Sequence, residues 1–332
     1  MAEFRKDPIS NRWVTIATQR AQRPRQLGRN NSEQQSEPCP FCAGNEAQTP
    51  PELWALRDPD SQANGPGWRV RVVPNKYSAV ETASQWQGAS DDFYQAENGI
   101  GAHDVIVESA AHVVNIGTLD EDEIANLLRA YRERMRALSK DRRWRYLLLY
   151  KNQGDRAGAT LEHVHSQLIA LPHIPREAAD ELDGAQVHYL ATNRCIYCDV
   201  IERESAAPAR VIFSQERFIA MCPFAPRFAY ETWILPKIHS AAFEECADRD
   251  LIEFGRALRE IIARLNRGLN NPPFNYFLHS APTDANHSQH YHWHLEILPQ
   301  LSRAAGFELG SGSHINSVAP EDAARLLRDV LL

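Results

Sequence analysis

The sequence contains no run of about 18 consecutive apolar residues, so it offers no membrane-crossing helix. It has no basic excess either. Lys and Arg number 36 against 43 Asp and Glu, a net charge of −7. That balance excludes a protein that coats nucleic acid, though not a local arginine cluster for one phosphorylated ligand. The first residues, Met1-Ala-Glu-Phe-Arg-Lys-Asp-Pro8, are charged at once and lack the apolar stretch of a signal peptide. Cysteine is scarce, six in 332 residues, and four of the six fall in two Cys-x-x-Cys pairs. Such pairs point to metal in a reducing compartment more than to a disulfide framework. The expected location is the cytoplasm, without a nucleic-acid or membrane partner.

What is present is one pattern written twice. Cys39-Pro-Phe-Cys42, His112 and His163-Val-His165 in the first half are followed by Cys195-Ile-Tyr-Cys198, His239 and His290-Tyr-His292 in the second. An offset of 127 carries His112, His163 and His165 onto His239, His290 and His292, whereas the cysteine pairs are offset by 156. The surplus is expected in the Pro/Gly/Gln-rich stretch 43–67. Two thiolates two residues apart plus two imidazoles suit tetrahedral zinc, and a set with no open position is structural. Two structural zinc ions per chain are therefore expected, one on Cys39, Cys42, His112 and His163, the other on Cys195, Cys198, His239 and His290.

Each half reads as strands around one long helix. Residues 69–73, 103–108, 146–150 and 164–171 have strand character, as do 217–222, 231–235, 274–279 and 292–298. Helices with one apolar face start near Asp120 and Asp248, a connector helix spans 175–193, and a last one starts at Pro320. The expected fold is α+β with antiparallel sheets and packed helices. Its halves would be residues 1–175, carrying the catalytic residues, and 176–332.

On a strand, positions two apart share a face, so His165 and Gln167 point the same way as His163. A ligand at His163 would pin the strand and make His165 a positioned nucleophile toward phosphorus. The Gln167 amide can hold a phosphoryl oxygen but cannot act as an acid, which favours transfer over hydrolysis. Just upstream, Asn152-Gln-Gly-Asp-Arg-Ala-Gly-Ala-Thr160 has the small residues and donors of a phosphate cradle.

These residues resemble the galactose-1-phosphate uridylyltransferase family of the histidine-triad superfamily, and within it the two-zinc branch that includes plant ADP-glucose phosphorylase. Arg20-Ala-Gln-Arg23-Pro24 is similar to its N-terminal phosphate-binding segment, and Asn75 stands at the nucleoside-contacting strand end. Gly158-Ala-Thr160-Leu-Glu-His163-Val-His165-Ser166-Gln167 resembles its catalytic segment, and Gly306-Phe307-Glu308 the segment that contacts the hexose from the partner subunit. The resemblance implies tandem histidine-triad-like half-domains and a homodimer with shared active sites. It implies that His165 is nucleotidylylated and that Gln167 supports the α-phosphate. Arg20, Arg23, Asn75, Asn152, Gly158, Thr160, Ser166, Phe307 and Glu308 would bind substrate.

The sequence also departs from the family. Uridylyltransferases read His-Pro-His-Gly-Gln where this chain has His-Val-His-Ser-Gln, and their base-contacting Asn-Asp is Asn75-Lys76 here. At their second-half metal site, built from Glu and three His, an ungapped alignment offers His279, His294 and Glu296. The expected activity is transfer of a uridylyl group between UDP-glucose and a hexose 1-phosphate through a covalent histidine intermediate. Adenylyl transfer from ADP-glucose is the alternative. A double-zinc nucleotide-binding module without catalysis is the non-enzymatic reading, against which the His165–Gln167 pair tells.

Overall fold

The computed structural model describes residues 3–6, 13–16, 38–82, 88–91, 93–284, 289–303, 305–312 and 314–332. Strands β1 (Glu3–Lys6), β2 (Trp13–Ile16), β3 (Trp54–Arg57), β4 (Trp68–Pro74), β5 (Gly88–Ser90), β6 (Gln95–Asn98) and β7 (Ala102–Val107) precede helix α1 (Glu121–Ser139). Strands β8 (Tyr146–Gln153) and β9 (His165–Leu171) complete the first half. Helices α2 (Arg176–Thr192) and α3 (Ile196–Ala206) lead to β10 (Val211–Ser214), β11 (Phe218–Met221) and β12 (Thr232–Pro236). Helix α4 (Asp248–Gly268), β13 (Phe274–His279), β14 (His294–Pro299), α5 (Gly306–Ser311) and α6 (Pro320–Asp329) close the chain.

The repeat is legible in the strand order. Ten strands form one antiparallel sheet, β10-β11-β12-β14-β13-β8-β9-β7-β4-β3. Read outward from its centre, each half runs a strand pair (β8-β9 or β13-β14), one further strand (β7 or β12) and an edge pair (β4-β3 or β11-β10). The halves join where β8 and β13 pair, with Tyr150 opposite Phe277. A smaller sheet, β2-β1-β6-β5, stands apart.

One face of the large sheet carries the main core. Asp120 caps α1 through a capping box: its carboxylate accepts the Glu123 N–H (2.8 Å), and its own N–H donates to Glu123 (2.9 Å). The helix then buries Ile124, Leu127, Leu128, Tyr131, Met135 and Leu138. Helix α4 does the same with Leu251, Phe254, Leu258, Ile261, Ile262 and Leu265, and the two stripes share one apolar cluster with the strands. The opposite face is left for α2, α3 and the cysteine pairs.

The surplus in the first half is distributed otherwise than expected from the Pro/Gly/Gln-rich stretch. Strand register sets Val73 against Met221, an offset of 148, so most of the extra residues lie between β4 and β7. There they build β5 and β6 of the small sheet. Stretch 43–67 is partly ordered secondary structure, because β3 pairs with β4.

Candidate active site and metal clusters

Cys39, Cys42, His112 and His163 converge, with one ligand atom from each within 4.8 Å of the others. Cys42 Sγ lies 3.3 Å from His112 Nδ1 and 3.6 Å from His163 Nδ1, and Cys39 Sγ lies 3.5 Å from His163 Nδ1. A tetrahedron with Zn–S near 2.3 Å and Zn–N near 2.05 Å has S···N edges of about 3.5 Å. The donor set and its spacing fit zinc. His163 points its other nitrogen at the Ser109 carbonyl (2.8 Å), which fixes the tautomer with Nδ1 facing the thiols. Burial, with Cys39 alongside, pushes the Cys42 thiol up to about 11, so a thiolate pair here calls for a cation.

The second cluster repeats the geometry and corrects one assignment. Its members are Cys195, Cys198, His239 and His292, not His290. Cys198 Sγ lies 3.5 Å from His239 Nδ1 and 3.6 Å from His292 Nδ1, and His292 Nε2 faces the Pro236 carbonyl at 2.9 Å. The β13–β14 connection is longer than its counterpart, which moves the offset in the last strand from 127 to 129. His292 is thus the equivalent of His163, and His290 packs beside Tyr189 instead.

Two residues beyond His163, His165 opens β9. Its Nδ1–H donates to the His163 carbonyl (2.8 Å), so Nε2 is the unprotonated nitrogen. Phe41, from within the first cysteine pair, packs its ring 5.3 Å from the imidazole. His165 and Gln167 line a cavity of about 380 Å³, with Phe41, Thr49, Asn75, Lys76, Tyr77 and Thr160 also on its wall. That volume lies in the range of small-ligand sites. Of the expected substrate contacts, Asn75 and Thr160 line this cavity with His165 and Gln167. Gly158, left-handed at φ +87°, shapes the turn before β9, and Asn152 is held by the Asn275 amide at 2.8 Å.

Other expected contacts fall elsewhere. Ser166 alternates to the opposite face, where it bonds Glu108 and Tyr131 in the core, so its side chain does not meet the cavity. Glu108 is fully buried there with Lys151, whose Nζ donates to it (2.7 Å) and to the His165 carbonyl (3.1 Å). Lys151 thus braces β9 at His165 from the opposite face of the sheet. On α5, Phe307 is exposed and Glu308 half-buried, and neither lines this cavity; Glu308 accepts the Ala305 N–H at 2.9 Å. Arg20 and Arg23 lie outside the described residues.

The position equivalent to His165 in the second half is His294, and it is sealed. Trp233 stands at the register position of Val105, with its ring 5.2 Å from His294, and Tyr197 covers it at 5.0 Å. Glu296 replaces Gln167 and pairs with Arg227. Atoms from Glu181, His279 and His294 lie within 4.8 Å of one another, but His279 Nδ1 is already engaged by Glu181 at 3.0 Å. With Arg227 and His279 as cations, the protein itself balances these carboxylates, so a third metal is a poor fit. Burial opposes the charge on His279, but Glu181 and Glu296 outweigh it and carry the imidazole up to about 9. An imidazole raised from its ordinary 6.5 stabilises the fold fully below pH 6.5 and loses that contribution as pH rises toward 9. Thermal melts should accordingly fall between pH 6.5 and 9.5 by an amount on the order of 2 kcal/mol that is absent in His279→Gln. Equal slopes in the two proteins would remove His279 from the account.

The doubled antiparallel sheet thus sets one imidazole, His165, on a cavity wall beside a two-cysteine, two-histidine cluster in the first half, and packs its counterpart His294 under Trp233 and Tyr197 in the second. The chain belongs to the galactose-1-phosphate uridyl transferase family, whose N-terminal domain matches residues 1–175 and whose C-terminal domain matches residues 181–330. It is a nucleotidyltransferase of that family. It is 36% identical to ADP-glucose phosphorylase of Arabidopsis thaliana, over 99% of this chain and 93% of that protein. It is 26% identical to galactose-1-phosphate uridylyltransferase of Thermotoga maritima, over 99% and 98%. Among solved structures, the Arabidopsis ADP-glucose phosphorylase with bound ADP-glucose superposes with TM-score 0.78 at 34% identity, covering 100% of this chain and 99% of that one. A uridylyltransferase structure gives 0.81 at 28% identity, covering 98% and 97%.

Proposed function

We propose that the protein transfers a nucleotidyl group from a nucleotide-sugar through a covalent His165 intermediate, with ADP-glucose as donor and inorganic phosphate as acceptor. The observation that carries the covalent step is the pinned His165 ring at the cavity wall. Its Nε2 attacks the α-phosphorus; the N–P bond forms while the bond to the β-phosphate breaks, and glucose 1-phosphate leaves. The ring gains positive charge, which the His163 carbonyl stabilises through Nδ1–H. A phosphate oxygen then attacks the same phosphorus, the P–N bond breaks, and ADP leaves with neutral His165 restored. Gln167 steadies the phosphoryl oxygen without offering an acidic proton.

Adenosine is favoured over uridine by the 36% identity to a protein named ADP-glucose phosphorylase against 26% for a uridylyltransferase. Lys76, in place of the family's Asp beside the base-contacting Asn75, also supports it. Uridylyl transfer between UDP-glucose and galactose 1-phosphate is the second reading, supported by the equally good superposition on a uridylyltransferase. Purified protein should turn over ADP-glucose plus phosphate with kcat/KM at least about tenfold above UDP-glucose plus galactose 1-phosphate. Double-reciprocal plots should be parallel, the sign of a double displacement. The reverse preference would give the uridylyl reading, and intersecting lines would replace the covalent step with direct transfer.

Each Cys/His cluster is taken to hold one zinc ion, which would fix His163 and His292 against their strands. Glu308 and Phe307, which do not line this chain's own cavity, are taken to serve the partner's cavity in a homodimer, together with Arg20 and Arg23. Mixing inactive His165→Ala chains with inactive Glu308→Ala chains should then recover roughly a quarter of wild-type activity at random exchange. Chains that demonstrably exchange without recovering activity would show that each site is built within one subunit.

A further inference from the structure

Gln167 cannot perform its part unless its amide is turned the right way, and an amide has two ends of opposite character. Its Oε1 is the meeting point of three donors. His103 Nε2 lies 2.9 Å away, the Tyr150 hydroxyl 3.0 Å and the Asn75 amide nitrogen 3.3 Å. Two of these donors, His103 and Asn75, are oriented by backbone groups that cannot themselves flip. The Ala79 backbone N–H donates to His103 Nδ1 (3.1 Å), which leaves the imidazole proton on Nε2, aimed at Gln167. The Tyr77 backbone N–H donates to Asn75 Oδ1 (2.9 Å), which turns the Asn75 amide nitrogen inward. Both backbone groups belong to the loop after β4, and that loop is tied back to β7 by the Asn75 N–H on the His103 carbonyl (2.8 Å). His103 and Gln167 are almost wholly buried, so water does not compete for these bonds.

We propose that His103 is a positioning residue for the transfer: held as the Nε2–H tautomer by the Ala79 N–H, it locks Gln167 with its oxygen inward and its amide N–H groups toward the phosphoryl group at His165. The proposal rests on the covalent reading above and adds to it the residue that makes Gln167 a donor. A Gln167 free to turn would spend part of its time presenting an oxygen to the phosphoryl oxygens, which repels them. The same loop lines the cavity through Asn75, Lys76 and Tyr77. Its backbone therefore links the seating of the nucleoside to the orientation of the phosphate-binding amide.

The test is the single-turnover rate at which His165 takes label from donor labelled at the α-phosphate, ADP-glucose and UDP-glucose being tried separately. His103→Met should slow labelling by about 10- to 100-fold, the size of losing one preorganised donor. The donor concentration for half-maximal rate should move by less than about threefold, because the loss falls on the transition state. His103→Gln, which keeps an N–H donor, should recover much of the rate. In a Gln167→Leu background, His103→Met should add less than about threefold, since both changes remove one function. A general structural role predicts the opposite: losses that multiply in the double variant and no rescue by glutamine. Either of those results, or labelling of His103→Met at the wild-type rate, overturns the proposal. If His103→Met lacks a cooperative melt, Tyr150→Phe removes another of the three donors without emptying the space, and the same non-additivity with Gln167→Leu decides. Wild-type protein that takes no label from either donor overturns the covalent reading, and this inference with it.

Discussion

His165→Ala loses nucleotidyl transfer by about 10⁴-fold or more, while keeping its metal content and its melting temperature within a few degrees. The size follows from the mechanism. Without the imidazole there is no N–P bond, so the reaction does not proceed more slowly by the same route; the route is gone. The neighbours supply no substitute. Gln167 is not a nucleophile, Lys151 is buried against Glu108 on the other side of the sheet, and His163 turns Nδ1 to the thiols and Nε2 to a carbonyl. Retained stability follows from position, because the ring sits at a cavity wall and not in the helix-packed core. Kinetics and a calorimetric melt on the same preparation check both halves. A variant with wild-type turnover would assign the nucleophile elsewhere.

Cys39→Ser and Cys195→Ser each lose one zinc ion of two and several kcal/mol of stability, and the first also loses activity. Structural zinc contributes on the order of 10 kcal/mol to small domains. In this larger chain the core helps, and a drop of about 10 °C or more per lost site is the scale to expect. The activity asymmetry separates the two clusters. The first holds His163, whose carbonyl orients His165, and holds Phe41 against the same ring. The second holds His292 beside His294, which is sealed by Trp233 and Tyr197. Cys195→Ser should therefore keep within about tenfold of wild-type turnover at temperatures where it is folded. Elemental analysis and melts on both variants decide. One zinc or none in the wild type would remove the duplicated-site account.

The duplicated elements were readable because each rests on a short-range rule. Runs rich in β-branched residues gave the strands, one apolar stripe gave α1 and α4, and Asp120 gave the start of α1. His165 and Gln167 were readable because a strand forces alternate residues to one face. The same rule, applied to Ser166, would have turned it away from the substrate; the family resemblance put it there instead. His290 was misassigned because a constant offset was carried across a loop, and loops are where length changes. His103, Tyr150 and Phe41 were missed because their partners lie across strand pairings that only the fold supplies. Two buried polar residues, His103 and Asp104, at the start of a strand that continues Val-Ile-Val were the available signal for His103. Nothing in the sequence alone marked the closing of the second half by Trp233.

The central claim is that one imidazole carries the nucleotidyl group between two half-reactions. The direct measurement is the mass of the peptide containing His165 after brief incubation with ADP-glucose, without phosphate, and digestion at neutral to alkaline pH. A peptide heavier by one adenylyl group, with the addition on His165, removed by mild acid and by added phosphate, is the result predicted. An unmodified peptide in protein that is turning over ADP-glucose, or an acid-stable addition on another residue, would contradict it.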